Sequence, residues 1–307
     1  MRRRQRLPSG APPRFALIGA AGYVAPRHMD AIAANGYELV AALDPHDSVG
    51  VIDRYAPEAA FFTEFERFDR HLDKLRREGR GVDYVAVCSP NYLHDAHARL
   101  GLRLGADVIC EKPLVLNARN ARGLREAEGA YGRRVWCVLQ ARLHPEAERL
   151  RAFVAAREGR AHVVRIDYVT PRGRWYDYSW KSAADKSGGV ATNIGIHLFD
   201  LVLANFGMPS AVEVRARTPR TCAGVLACPR GTVEFRLSVD ARHLPDGHRG
   251  RRRVFEVDGE AFDLSGGFDE LHRETYRRVV AGEGFGIADA LPAIELAERI
   301  RATPAAA

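Results

Sequence analysis

Short apolar runs alternate with stretches of helical period through the first half of the chain. Residues 15–19 are an apolar run ending in Gly19. Gly22 follows, a helix-period stretch covers 26–35, and a second apolar run over 38–43 leads to Asp44. This is a strand–helix–strand opening. Helix-period stretches at 64–78, 91–104 and 118–131 then alternate with strand candidates at 82–88, 107–110 and 135–141. Such alternation predicts a mostly parallel sheet with helices on both faces. The pattern changes near residue 145. A helix over 145–158 precedes an alternating strand at 162–170, a loop over 171–189 rich in Trp, Tyr, Lys and Gly, and a helix over 193–206. Strand candidates follow at 211–217, 221–226, 232–239 and 253–257, then helices at 269–280 and 288–301. Strands with few crossover helices predict an open, mainly antiparallel sheet. The chain therefore reads as an α/β protein: a disordered extension over 1–13, one domain over 14–143 and a second over 144–307. Ligand sites favour domain interfaces.

Composition narrows the picture. The chain has 307 residues, 46% of them hydrophobic and 28% charged, which is ordinary for a soluble globular protein with room for two cores. The net charge of +7 comes largely from one end. Arg2, Arg3, Arg4, Arg6 and Arg14 are unopposed, and the remaining 41 bases face 39 acids. That balance excludes the broad basic face that nucleic-acid binding needs. The N-terminal stretch lacks the apolar segment of a secretory signal, and no apolar run is long enough to cross a bilayer. The run Arg249–Arg253 reads either as a solvated hairpin loop or as a diphosphate-facing loop. Five cysteines, an odd number without metal-type spacing, read as reduced thiols of a cytoplasmic protein, with Cys88, Cys110 and Cys137 in apolar runs. Only four of the 46 basic residues are lysines: Lys74, Lys112, Lys181 and Lys186. Where charge alone matters this sequence uses arginine, so a retained lysine points to proton transfer from an amine with a tunable pKa.

Four motifs carry candidate chemistry. The turn Gly19-Ala20-Ala21-Gly22-Tyr23-Val24-Ala25 follows the first strand. A dinucleotide requires a tight turn, close backbone approach and a helix N-terminus aimed at its pyrophosphate. Asp44, ending the second strand, is placed to accept from ribose hydroxyls, and its charge favours NAD over NADP. In Ser89-Pro90-Asn91-Tyr92-Leu93-His94 a strand ends in a turn that starts a helix, where capping and cofactor contact share one location. His94 and His97 lack the companions of a metal pair, and no metal is expected. In Cys110-Glu111-Lys112-Pro113 a strand delivers a Glu-Lys pair at its C-terminal end. A lysine beside a nicotinamide could relay the proton of a hydroxyl being oxidised; a surface salt bridge is the plainer alternative. In the stretch from Gly188 to Asp200, His197 lies on a largely apolar helix and is the natural second proton-transfer group.

Together these motifs resemble the Gfo/Idh/MocA oxidoreductase family over nearly the whole chain after Arg14. The resemblance implies a Rossmann domain, then an α/β domain with an open antiparallel sheet, and Lys112 and His197 flanking the reacting hydroxyl. Residues 16–29, 47–50, 61–65, 172–176 and 189–197 are similar to the family branch that oxidises the C3 hydroxyl of UDP-N-acetyl-2-amino-2-deoxy-D-glucuronate. That branch prepares the sugar for transamination on the way to diacetamido-uronic acids of bacterial surface polysaccharide, and its members are homotetramers assembled through the open sheets. The resemblance implies NAD contacts at Gly19, Ala21, Gly22, Tyr23, Val24, Asp44, Ser89, Asn91, Leu93, His94, Glu111, Lys112 and Gln140. It implies substrate contacts at Lys112, Arg142, Trp175, Tyr176, Lys181, Ser187, Thr192, Asn193 and His197. The Arg-enriched strands between 215 and 253 match more weakly. A dehydrogenase of free inositol or hexose, and a non-catalytic NAD/sugar sensor, are the alternative readings, although the presence of both Lys112 and His197 argues against a dead site.

Overall fold

The computed structural model describes residues 10–247 and 250–306. The expected extension over 1–13 therefore lies mostly outside the described residues. The chain divides into two compact units. The first takes residues up to Val115, Arg119–Val138 and Phe268–Asp289; the second takes Leu116–Ala118, Leu139–Gly267 and the chain from Ala290 onward.

The first unit is built on β1 (Arg14–Ile18), β2 (Glu38–Leu43), β3 (Ala60–Phe62), β4 (Tyr84–Val87), β5 (Asp107–Cys110) and β6 (Val135–Cys137). They form one sheet in the order β3-β2-β1-β4-β5-β6, and every pair is parallel. Helices α1 (Ala25–Ala34), α2 (Phe65–Arg77), α3 (His94–Arg103) and α4 (Ala118–Tyr131) connect the strands. Parallel strands need such crossovers, which cover both faces, so β4 is buried at every position. The strand order reverses at β1, the point where open α/β sheets bind ligands beyond their strand ends. β3 is too short and too weakly buried to stand out in the sequence. β6 is shorter than the apolar run 135–141, because the chain turns into a 3₁₀ segment at Gln140–Leu143.

The second unit is built on α5 (Pro145–Ala155), β7 (His162–Val169), α6 (Ala184–Ser187), α7 (Gly189–Asn193), α8 (Ile196–Phe206), β8 (Ala211–Thr218), β9 (Thr221–Cys228), β10 (Gly231–Ser238), β11 (Arg252–Val257) and β12 (Glu260–Ala261). Its sheet order is β12-β11-β7-β10-β9-β8. Only β7 and β10 pair in parallel; the other pairs are antiparallel, as expected. Alternate residues of β7 and β10 are buried and exposed, so one face packs a core with α5 and α8 while the other carries Val163, Arg165 and Glu234.

Two boundaries depart from the sequence pattern. α9 (Phe268–Ala281), expected in the C-terminal domain, belongs to the first unit. Its Tyr276 ring meets Phe15 of β1 at 5.5 Å, Arg273 pairs with Asp30 of α1 at 2.7 Å, and Asn35 Nδ2 donates to the Arg273 carbonyl. Apolar burial there outweighs continuity along the chain. The last helix, α10 (Ile287–Ala302), follows it. The helix expected over 193–206 is broken. A side chain at Gly195 would lie 2.5 Å from the Ala191 carbonyl oxygen and 2.6 Å from Leu237 Cδ1, so the junction of α7 and α8 admits only glycine. His197 consequently sits in the first turn of α8.

Candidate cofactor and proton-transfer site

Four strand ends of the first unit supply every expected cofactor residue except Gln140. After β1, Gly19 adopts φ +97°, and a Cβ there would lie 2.6 Å from the Ser89 nitrogen. At Gly22 a Cβ would lie 3.0 Å from the Gly19 carbonyl oxygen. Both positions exclude side chains, which leaves the turn's backbone bare. Asp44, buried past the end of β2, accepts from the amides of Ala21 and His46, each at 2.9 Å. Two of its roughly four lone-pair sites are thus spent on shaping the turn. α1 starts just beyond with no acid in its first turn and no side-chain cap, so its positive dipole end stays uncompensated. Tyr23 in this turn is exposed, and Val24 is the residue preceding α1. A bare turn, a ribose-class acid and an uncapped helix N-terminus fit a dinucleotide diphosphate.

The ends of β4 and β5 are clipped together. Buried His94 lies 2.8 Å through Nε2 from the Ser89 carbonyl and 2.7 Å through Nδ1 from the Pro113 carbonyl. Burial lowers its pKa below the usual histidine value, and a neutral ring donates to one carbonyl at a time. The Ser89 hydroxyl is 2.8 Å from His97 Nδ1, and burial pushes the His97 pKa down to about 4. Asn91 is buried and Leu93 partly so. Between these clips Lys112 is partly exposed and Glu111 turns inward. Glu111 Oε1 accepts from Nε2 of His28 and of His272, both at 3.2 Å, and Oε2 accepts the Lys112 amide at 3.1 Å. Burial alone would raise the Glu111 carboxyl, but the histidine hydrogen bonds outweigh it and hold it well below the ordinary carboxylate range. Glu111, expected at the cofactor, thus spends its carboxylate inside the unit.

In the second unit, Gln140 Oε1 is buried without a hydrogen-bond partner among the described residues, an acceptor open to a ligand. Arg142 is gripped by Asp200 through two parallel bonds of 2.7 and 2.6 Å. Asp200 lies three residues beyond His197 on α8. Arg301 of α10 donates to the Thr192 hydroxyl and to the Leu116 carbonyl. Three residues expected at a substrate cleft also make contacts within the fold. Thr192 anchors Arg301. Ser187 is fully buried, donating to the Ala183 carbonyl and accepting from the Gly189 amide. Tyr176 is 1% exposed, with its hydroxyl 3.5 Å from the Pro219 carbonyl and Arg220 over its ring. Trp175 is exposed, and Lys181 Nζ sits 5.5 Å from its ring and 5.7 Å from that of Trp180. Asn193 and His197 are partly exposed. In the Arg249–Arg253 run, Arg249 lies outside the described residues, while Arg252 pairs with Asp167 at 2.6 Å and Arg253 covers Tyr168.

Sequence reasoning assigned no role to His28, His272 or Asp200. The available signal was a polar residue in an apolar helical stripe, which needs a buried partner. Among the described residues, His28, Glu111 and His272 are also the three side chains whose ligand atoms lie close enough to share an ion.

Residues 13–139 match the family described as "Oxidoreductase family, NAD-binding Rossmann fold", and residues 148–259 match the "GFO/IDH/MocA C-terminal domain". The chain belongs to the Gfo/Idh/MocA oxidoreductase family. Among solved members, the chain is similar to the WlbA (WbpB) dehydrogenase from Thermus thermophilus, with 47% identity, 96% of each chain covered and a TM-score of 0.92. That protein was solved with NAD and UDP-GlcNAcA, and with NAD and alpha-ketoglutarate. Curated relatives are more distant. The D-glucoside 3-dehydrogenase of Escherichia coli is 27% identical over 44% of this chain and 39% of its own length. An inositol 2-dehydrogenase of Rhizobium meliloti is 26% identical over 61% of this chain and 53% of its own length. The chain thus spans about half the length of these relatives or less. Its Rossmann domain is of the NAD-binding kind, as the glycine turn and Asp44 indicated. No single helix among the described residues is long and apolar enough to cross a membrane.

Proposed function

We propose that this protein oxidises the C3 hydroxyl of UDP-N-acetyl-2-amino-2-deoxy-D-glucuronate to the ketone, in the cytoplasm, on the route to bacterial surface polysaccharide. The observation that carries this reading is the 47% identity, over 96% of both chains, to a dehydrogenase solved with NAD and UDP-GlcNAcA. NAD, when bound, accepts the hydride that leaves the sugar carbon. Gly19, Gly22 and the start of α1 hold its diphosphate, and Asp44 takes the ribose hydroxyls with its remaining lone pairs. The hydroxyl proton passes to Lys112 or His197, the two proton-transfer groups of the motifs. Trp175, Lys181, Asn193 and Arg142 orient the sugar nucleotide, with Lys181 opposing its negative charge. The solvated face of the second sheet joins copies of the chain into a homotetramer.

The test follows NADH absorbance with UDP-GlcNAcA, inositol and glucose in parallel. Turnover confined to the UDP-sugar is expected. Turnover on inositol or glucose alone overturns the substrate assignment and favours the second reading, which the inositol and glucoside relatives motivate. Addition of 2-oxoglutarate checks whether NADH is reoxidised in place, since the Thermus protein was solved with that acid. Binding of NAD and sugar with no turnover in any arm would mark a sensor.

A further inference from the structure

Glu111 is the residue before Lys112, yet its side chain serves the interior. Three donors converge on it. His28 comes from α1, His272 from α9, and the third is the Lys112 amide itself. The Tyr276 hydroxyl, 2.7 Å from His28 Nδ1, donates there and leaves the His28 proton on Nε2, facing Glu111. His28 and His272 are fully buried. A buried carboxylate is costly unless hydrogen bonds replace its water, and here both oxygens are used. If one imidazole donor is lost, Oε1 keeps a single hydrogen bond in a buried site. The carboxylate is then under-solvated, and rotation to find a partner would loosen its hold on the Lys112 amide.

We propose that His28 and His272 are positioning residues for Lys112, acting through Glu111: the two helices clamp the carboxylate, and the carboxylate fixes the backbone from which the lysine projects. This rests on the reading of Lys112 as a proton-transfer group. Hydride and proton transfer need reacting atoms held within tenths of an ångström, so loosening this anchor lowers kcat while binding groups elsewhere keep KM.

Glu111→Gln is the sharpest variant. It keeps shape but offers one acceptor oxygen, and sets an NH₂ against one of three donors. We expect kcat to fall about 100-fold with KM for the UDP-sugar and NAD changed less than about 3-fold. His272→Leu should behave alike, whereas His272→Gln, which retains an N–H donor, should stay within about 5-fold of the parent. A readout independent of turnover exploits the four lysines of the chain. After reductive ¹³C-methylation, the Lys112 signal, identified by its loss in Lys112→Arg, should be distinct in the parent and in His272→Gln. It should shift toward the exposed Lys74 position in Glu111→Gln and His272→Leu. An unchanged Lys112 signal and kcat in folded Glu111→Gln overturns the proposal, as does His272→Gln matching His272→Leu. If His272→Leu fails to fold, His272→Asn, whose amide is too short to reach, replaces it with the same expected rank. One equivalent of zinc retained through purification and lost to a chelator also overturns it, because the same atoms would then serve an ion. A parent inactive on every sugar refutes the functional reading alone; the lysine signal still decides the clamp.

Discussion

The two units place their candidate side chains by different means. In the first, Gly19, Asp44, Ser89 and Lys112 all follow the carboxyl ends of parallel strands, whose ladder hydrogen bonds already fix the backbone. In the second, candidates lie on the 171–182 loop and around the α7–α8 junction, and long-range arginines hold them: Arg142 on Asp200, Arg301 on Thr192, Arg220 on Asp177. Strand ends of a covered parallel sheet are pre-organised by backbone alone; a half-open sheet with irregular loops needs side-chain clamps. Chemistry built on the first should be rigid and intolerant, and recognition built on the second adjustable.

The largest expected effect tests the first half of that contrast. Lys112→Met should reduce kcat by about 10⁴-fold, the upper range for a general acid–base group, while NAD affinity by fluorescence titration stays within about 3-fold. Near-normal turnover in this variant would remove Lys112 from the chemistry. Next, Asp200→Ala strands the partly buried Arg142 guanidinium. Breaking such a pair costs about 4 kcal/mol, so urea unfolding should show a loss of that order in the second unit. A change below about 1 kcal/mol would show that the clamp is ornamental there.

Acid should then separate the units. Burial depresses the pKa of His97 to about 4 and lowers those of His28 and His94, all in the first unit. These groups bind protons more readily when unfolded, so the stability they contribute is present above about pH 6.5 and lost as pH falls toward 4. His97 alone accounts for about 3 kcal/mol by that shift. In the second unit, Asp167, Asp240 and Asp258 are depressed carboxylates whose contribution fades only at lower pH. Hydrogen exchange between pH 7 and 5 should therefore loosen the first unit first, and His97→Gln should flatten the trend. Equal loosening of both units would break the comparison. The smallest effect belongs to recognition: Lys181→Gln should raise KM for the UDP-sugar about 10-fold, with kcat within about 2-fold. A fall in kcat instead would move Lys181 into the chemistry.

The legible parts of the site were those that depend on neighbours along the chain. Asp44 could be placed because a strand, a turn and a fixed interval of sequence precede it, and Lys112 because an apolar run delivers it to a strand end. The break before α8 was not legible: Gly195 within a helical pattern gives no sign that Ala191, Leu237 and Phe199 crowd it. Tyr176 and Ser187 are substrate contacts by resemblance alone, and no pattern along their loop foretold that packing buries both.

The sequence by itself determined the α/β order, the glycine turn, the acid at the end of β2 and the lysine after β5, since each follows from periodicity and turn chemistry over a few residues. Only the tertiary structure decided what holds them. Glu111 finds His272 161 residues away, and Arg142 finds Asp200 58 residues away. A buried charge is satisfied by whichever donor the packed fold brings within about 3 Å, and no local pattern encodes which one arrives.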